Sequence, residues 1–206
     1  MTRRCWCRCR GMIEIRIGRC DVRFSILFPA LILFVTLLDT DGIAAHCLLA
    51  SIIHELGHLT ALAFCKPAPA AMVINLFGIR IEKRKDCTLT YRQDMLISLA
   101  GPAANLFSAA LLYVLIGHSM SVLVHLVLGI FHLLPIEPLD GGQMCLSFFR
   151  SRMPEETADR VMLWTSIITL IPMTLVSCVL LLQSGYNFSF LAVTAYVAAL
   201  VFLKRK

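Results

Sequence analysis

The chain has 206 residues, 58% of them hydrophobic and 16% charged, with a mean hydropathy of +0.79; soluble domains carry about 45–50% apolar residues, so a water-soluble globule is excluded and the chain belongs in lipid. The net charge of +6 does not point to nucleic acid, because the Lys and Arg residues fall between apolar runs and line no amphipathic surface. Nine cysteines are scattered, with Cys47, Cys65 and Cys178 inside apolar runs, where a thiol acts as a small hydrophobe, so a disulfide scaffold is not expected.

Residues 1–23 form a basic amino-terminal segment. Its Cys5-Trp-Cys7-Arg-Cys9 tract is spaced more tightly than the C-x₂₋₄-C of structural zinc sites. The tract is basic enough to lie on anionic lipid, and translation from Met12 would remove it. Met12–Ile17 (MIEIRI) alternates apolar and polar residues as a strand does. Six apolar segments follow, at 24–38, 43–65, 95–117, 120–135, 161–183 and 188–203. The second, third and fifth reach the roughly 20 residues of a perpendicular transmembrane helix; the others must be tilted, sheltered or partly interfacial. A secretory signal peptide over residues 1–45 is the rival reading of the first segment. Ala44–Ala45 is a poor cleavage site and the apolar pattern resumes at once, which favours a retained helix. Between the second and third segments, Ala71–Phe77 and Ile79–Lys83 alternate weakly around Gly78, which predicts a short hairpin or a kinked strand. Met12–Ile17 is expected to pair with it, since an unpaired strand edge near lipid is costly. The expected fold is an all-α polytopic membrane protein of about six transmembrane helices with a small membrane-associated β-strand or hairpin element, in one domain over 1–206 whose six-helix core is 24–203.

With the amino terminus in the cytoplasm, the inner segments 1–23, 66–94, 136–160 and 204–206 carry seven, six, three and three Lys or Arg, the full complement of 19. The outer turns Asp39–Gly42, His118–Ser119 and Ser184–Asn187 carry none, as the positive-inside rule requires. A multi-pass protein of the bacterial cytoplasmic membrane with both termini inside is expected.

The second segment contains His54-Glu55-Leu56-Gly57-His58, and each ionisable group in a span costs on the order of 3 kcal/mol. Something must offset that cost. At 3.6 residues per turn, His54 and His58 share a face about 6 Å apart along the axis, which suits two nitrogens on one metal ion. Zn²⁺, one per chain, fits: neutral imidazoles bind it, and Glu55 on the adjacent face reaches its water as general base. The plainer alternative is a helix whose histidines hydrogen-bond within the bundle. A catalytic zinc site also needs a third protein ligand. His132-Leu-Leu-Pro-Ile-Glu-Pro-Leu-Asp140-Gly-Gly, at the inner end of the fourth segment, offers Asp140. Alone, Asp140 would read as a helix cap or turn residue; beside HELGH it becomes the carboxylate that a two-histidine site lacks.

HELGH in one span, LLPIEPLDGG after a later one, and Ser98-Leu-Ala-Gly-Pro-Ala-Ala-Asn105 at the start of the third together resemble the site-2 protease family of intramembrane metalloproteases. The resemblance implies that His54, His58 and Asp140 hold zinc, that Glu55 activates water, and that substrates are membrane-spanning proteins whose helix must unwind to be cut. The layout looks closest to the family's stage IV sporulation branch, whose members process a sigma-factor precursor at a cytoplasm-facing site. That branch commonly adds a CBS domain that this chain does not show, so regulation through one is not expected. A second departure is His132, where the family usually has an Asn thought to hold substrate or the oxyanion; His132 is therefore a candidate catalytic residue. Gly101 and Pro102 suggest close helix packing one turn inside the third span, and Asn105 a bond across helices. His46, His118 and His125 have no ligand partner at telling spacing, and bundle hydrogen bonds suit them better. The expected partners are a membrane-protein substrate, the lipid bilayer and possible membrane-protein regulators, with no nucleic acid; oligomeric state is left open. A zinc-binding membrane transporter and an inactive relative that binds membrane partners are the alternatives.

Overall fold

The computed structural model describes residues 12–17, 20–25, 39, 42–64, 71–75, 78–82, 89–185 and 188–203. They fall into two compact units, Met1–Leu48 with Lys66–Thr88, and Leu49–Cys65 with Leu89–Lys206.

The first unit holds a four-stranded sheet of β1 (Met12–Ile17), β2 (Cys20–Ser25), β3 (Ala71–Asn75) and β4 (Gly78–Glu82), in that spatial order. β1 and β2 are antiparallel with Ile15 opposite Val22, β2 and β3 parallel with Phe24 opposite Ile74, and β3 and β4 antiparallel with Val73 opposite Arg80. The direct pairing expected between Met12–Ile17 and the 71–83 segment does not occur, because β2 lies between them. Cys20-Asp-Val-Arg-Phe-Ser has the period-2 alternation of a strand. It claims Phe24 and Ser25, the first residues of the expected span 24–38; residues 26–38 lie outside the described residues. Helix α1 (Ile43–Phe64) begins in this unit, where the Asp39 carboxylate accepts from the backbone amides of Ile43 at 3.2 Å and Ala44 at 2.7 Å. Two of the otherwise orphaned amides of the first turn are thereby satisfied.

The second unit contains the rest of α1 with α2 (Tyr91–Ile116), α3 (Met120–His132), α4 (Asp140–Arg150), α5 (Glu155–Ser184) and α6 (Ser189–Leu203). α2 starts four residues before the apolar run because Thr90 and Gln93 form a capping box: the Gln93 amide donates to Thr90 Oγ1 and the Thr90 amide to Gln93 Oε1 at 2.9 Å. α5 starts six residues early, with Glu155 and Glu156 in its first turn, where the helix dipole favours anions. It stops at Gly185, whose φ of +72° is the left-handed conformation that glycine adopts without strain.

α1, α2 and α5 are long and apolar enough to cross a membrane; Met120–His132 and Phe190–Leu203 are shorter apolar helices. Their outward faces carry large apolar side chains, Phe64 at 88%, Leu182 at 83% and Val114 at 80% exposure, a surface that matches lipid and not water. Hydroxyls within the helices are satisfied internally: Thr165, Thr169, Thr174 and Thr194 each donate to the carbonyl four residues earlier. The main core lies between α5, α6 and the loop after α3, formed by Ile136, Leu139, Leu170, Met173, Val197 and Val201.

Candidate metal centre

HELGH lies on α1 with its two imidazoles on one face. His54 is buried and His58 nearly so, with side-chain exposures of 5% and 13%. Gly57 lets this face lie against α2: a Cβ there would meet the Ala100 carbonyl oxygen at 2.5 Å. In α2, Pro102 has no amide to donate and its ring crowds the preceding turn. The Ile97 carbonyl in that turn accepts a hydrogen bond from His58 Nδ1–H at 2.7 Å. That bond fixes the tautomer, since a neutral His58 then carries its lone pair on Nε2. Pro102 stands three turns into α2, not one, because the helix begins at Tyr91.

Asp140 is the first residue of α4. Leu139 takes the cap position and no side chain caps the helix, so the capping role considered for Asp140 is not what the carboxylate does. Its placement comes from residues 133–139. Ile136 is fully buried and Leu139 nearly so, both in the core beneath α5 and α6. The Glu137 amide donates to Ser166 Oγ at 3.1 Å, and Gln143 Nε2 donates to the Glu137 carbonyl at 2.5 Å. Around Pro135 and Pro138 the backbone is paired in turns, with the Leu134 amide donating to the Phe131 carbonyl, the Ile136 amide to the Leu134 carbonyl and the Leu139 amide to the Ile136 carbonyl. The loop folds back so closely that a Cβ on Gly141 would strike the Leu133 backbone, and one on Gly142 the Ile136 backbone. Asp-Gly-Gly is what the turn demands.

The result brings α1 and α4 together at three atoms. Asp140 Oδ2 stands 2.9 Å from His54 Nε2 and 3.4 Å from His58 Nε2, and the two Nε2 atoms are 3.1 Å apart. Zinc bonds of about 2.0–2.1 Å in a tetrahedron place ligand atoms about 3.3 Å from one another. The observed separations match such edges, and two imidazoles with one carboxylate leave the fourth corner open, as a catalytic site does. Gly101 supplies the room: a Cβ there would collide with His58 and would stand 2.8 Å from His54 Nε2. The donor set and the space both fit a zinc ion.

Glu55 is half-buried on the same helix and makes no hydrogen bond among the described residues. His132, the last residue of α3, donates from Nδ1 to Asp140 Oδ2 at 2.8 Å, and its ring centroid is 4.3 Å from that of His54. Burial alone would raise the Asp140 carboxyl, but hydrogen bonds from His132 and His54 hold it well below the usual carboxylate range. His125 takes the bundle hydrogen bond expected of it, to Asn105. His118 stacks edge-on to Tyr113 beside an apolar groove of about 640 Å³ toward the carboxyl end of α2, which includes none of the metal-site residues. The space at Gly101, the Ile97 carbonyl and the Ser166 hydroxyl were absent from the sequence reading, because each acts on a residue far away in the chain.

No protein-family profile matches the chain. It is 30% identical over 128 residues to Stage IV sporulation protein FB of Bacillus subtilis (strain 168), an alignment of 58% of this chain and 44% of that protein. The chain thus spans less than half the length of this curated relative. Among solved structures it matches the Site-2 Protease from Methanocaldococcus jannaschii with a TM-score of 0.57, over 90% of this chain and 91% of that one, at 17% identity. The fold is that of a site-2 protease. Sequence and fold thus both support the likeness to the site-2 protease family that the three motifs carry, and the His54, His58 and Asp140 cluster of this site-2 protease fold is one that could hold a metal ion.

Proposed function

We propose that the chain is an intramembrane zinc metalloendopeptidase of the site-2 protease type, cutting peptide bonds of membrane-spanning or membrane-associated proteins. The observation that carries the reading is the meeting of His54, His58 and Asp140 within 3.4 Å of one another, with Glu55 next to the first histidine. His54 and His58 would hold one zinc ion through Nε2 and Asp140 through Oδ2. A zinc ion held there would supply Lewis-acid chemistry, polarising the scissile carbonyl and lowering the pKa of water at the site to about 7. Glu55 would be the general base, accepting a proton from the attacking water and passing it to the leaving amine, so that no covalent intermediate is needed.

His132 is the second catalytic residue of this reading, and its contact sets a condition. A neutral imidazole has one proton, and His132 gives it to Asp140; only the imidazolium offers Nε2–H to the oxyanion as well. Substrate would enter extended and pair with a sheet edge. β3 is bonded on both sides, so among the described residues the available edges are β1 and β4. In this reading residues 1–206 act as one membrane domain with about six spans and both termini in the cytoplasm. The metal lies toward the cytoplasmic side, and the likeness to a sporulation protein makes a sigma-factor precursor the first substrate to try.

The deciding experiment is metal analysis together with cleavage of a co-expressed single-span reporter, comparing the native chain with Glu55→Gln. The expected result is about one zinc per chain in both, with cleavage reduced about 10²–10⁴-fold in the variant, the usual weight of a general base. A variant that loses metal flux while the native chain cuts nothing would identify a transporter instead. Metal-free native material would end the proposal.

A further inference from the structure

Beside the metal cluster lies a buried polar pair that hydrolysis does not use. Asn105 on α2 is 0% exposed and His125 on α3 is 1% exposed. One end of the Asn105 amide is 3.2 Å from His54 Nδ1, and the other is 3.0 Å from His125 Nδ1. His54 in turn reaches Asp140 through Nε2 at 2.9 Å. Four groups are therefore joined in a line, His125 to Asn105 to His54 to Asp140. At its far end, His125 Nε2 is buried and has no hydrogen-bond partner among the described residues.

The two ends of an amide are unlike: the oxygen accepts and the nitrogen donates. Asn105 can therefore bridge two neutral imidazoles only when one presents Nδ1–H and the other a bare Nδ1. While His54 keeps its proton on Nε2 and donates it to Asp140, its Nδ1 is bare and accepts from the Asn105 nitrogen. The Asn105 oxygen then accepts from His125 Nδ1–H. A metal on His54 Nε2 takes that lone pair and requires the proton on Nδ1. The amide must then turn so that its oxygen accepts from His54 and its nitrogen donates to His125 Nδ1, whose own proton moves to Nε2. Each ring holds one proton in both arrangements, so no proton is gained or lost.

We propose that Asn105 and His125 are positioning residues that set the tautomer and orientation of His54, and that filling the metal site switches His125 from the Nδ1–H to the Nε2–H form. The inference rests on the reading of His54 Nε2 as a metal ligand. It assigns work to an Asn and a His that touch no metal and no substrate. Partners of ligating histidines typically alter metal affinity by 10–100-fold. The loaded arrangement leaves the His125 Nε2–H unpaired in the interior, which is unfavourable, so the pair resists loading as well as guiding it.

The test is ¹⁵N NMR of histidine in the full chain in detergent micelles, stripped with a chelator and then given one equivalent of zinc, with zinc affinity measured by competition. In the native chain His125 should change from Nδ1–H to Nε2–H as zinc binds. Asn105→Leu should weaken zinc 10–100-fold and abolish the switch. In Asn105→Asp the carboxylate accepts from both rings at once, so zinc affinity should be kept within a few-fold while His125 stays Nδ1–H throughout. If zinc binds the native chain and the His125 tautomer does not change, the inference is overturned while the metal reading stands. It is overturned equally if Asn105→Asp weakens zinc as much as Asn105→Leu does. Native chain that takes up no zinc overturns the metal reading and this inference together.

Discussion

Asp140 is met by three imidazoles, and because hydrogen bonds from His132 and His54 keep it ionised it holds the single N–H of a neutral His132. At the residue scale this yields a prediction for His132. His132→Asn, whose amide nitrogen carries two N–H groups and can donate both to Asp140 and to an oxyanion, should retain most of the reporter cleavage, whereas His132→Leu should lower it by about 10²–10³-fold; cleavage unchanged in both variants would remove His132 from the chemistry. Gly101 gives a second prediction. A methyl group there would occupy the space between His54 and His58, so Gly101→Ala should lose zinc altogether while the helical circular dichroism of the detergent-solubilised chain stays native; zinc retained at one per chain would show that the imidazoles move aside. His54 and His58 were legible as a pair because their spacing of four residues is a property of one helix. Asp140 was legible because an acid next to an apolar segment needs a reason. Gly101 and the Asn105–His125 pair were not, since their partners come from other helices.

The elements divide in the same way. The middles of α1, α2 and α5 were readable from hydropathy, whereas the starts of α2 and α5 were missed because they are made by a polar capping box and a pair of glutamates. β2 was hidden because Phe24 and Ser25 run into an apolar stretch, so its alternation merges with the segment behind it. The loop before α4 is the element on which the site depends most, since it carries Asp140 to α1. Ser166 holds it by accepting the Glu137 amide, and it donates in turn to the Met162 carbonyl at 2.9 Å. Ser166→Ala should leave that amide without its partner, a loss of about 1–3 kcal/mol. Thermal unfolding in detergent measures it, and an unchanged midpoint would show that the loop is held without Ser166, by contacts such as the burial of Ile136 and Leu139 and the Gln143 hydrogen bond.

For the whole molecule, the distribution of Lys and Arg carries the proposed orientation, and the apolar outer faces of the helices suit lipid as the solvent. Cysteine labelling from each side of the membrane should find the carboxyl-terminal tail and the α4–α5 turn, with Arg150 and Arg152, reactive only from the cytoplasm; labelling of either from outside would overturn the proposed orientation. One dimension has a further effect. α3 has 13 residues, about 20 Å of helix, against a hydrocarbon layer of about 30 Å. In the proposed six-span arrangement, a bilayer facing so short a rod would pinch inward beside it, at a cost of fractions of a kcal/mol per Å. His132 marks the end of that rod, so the dimple would form next to the histidines and carry headgroups and water toward them. The shortfall of one helix would then be a well that keeps the proposed hydrolytic centre wet, and a thinner membrane would ask less of it.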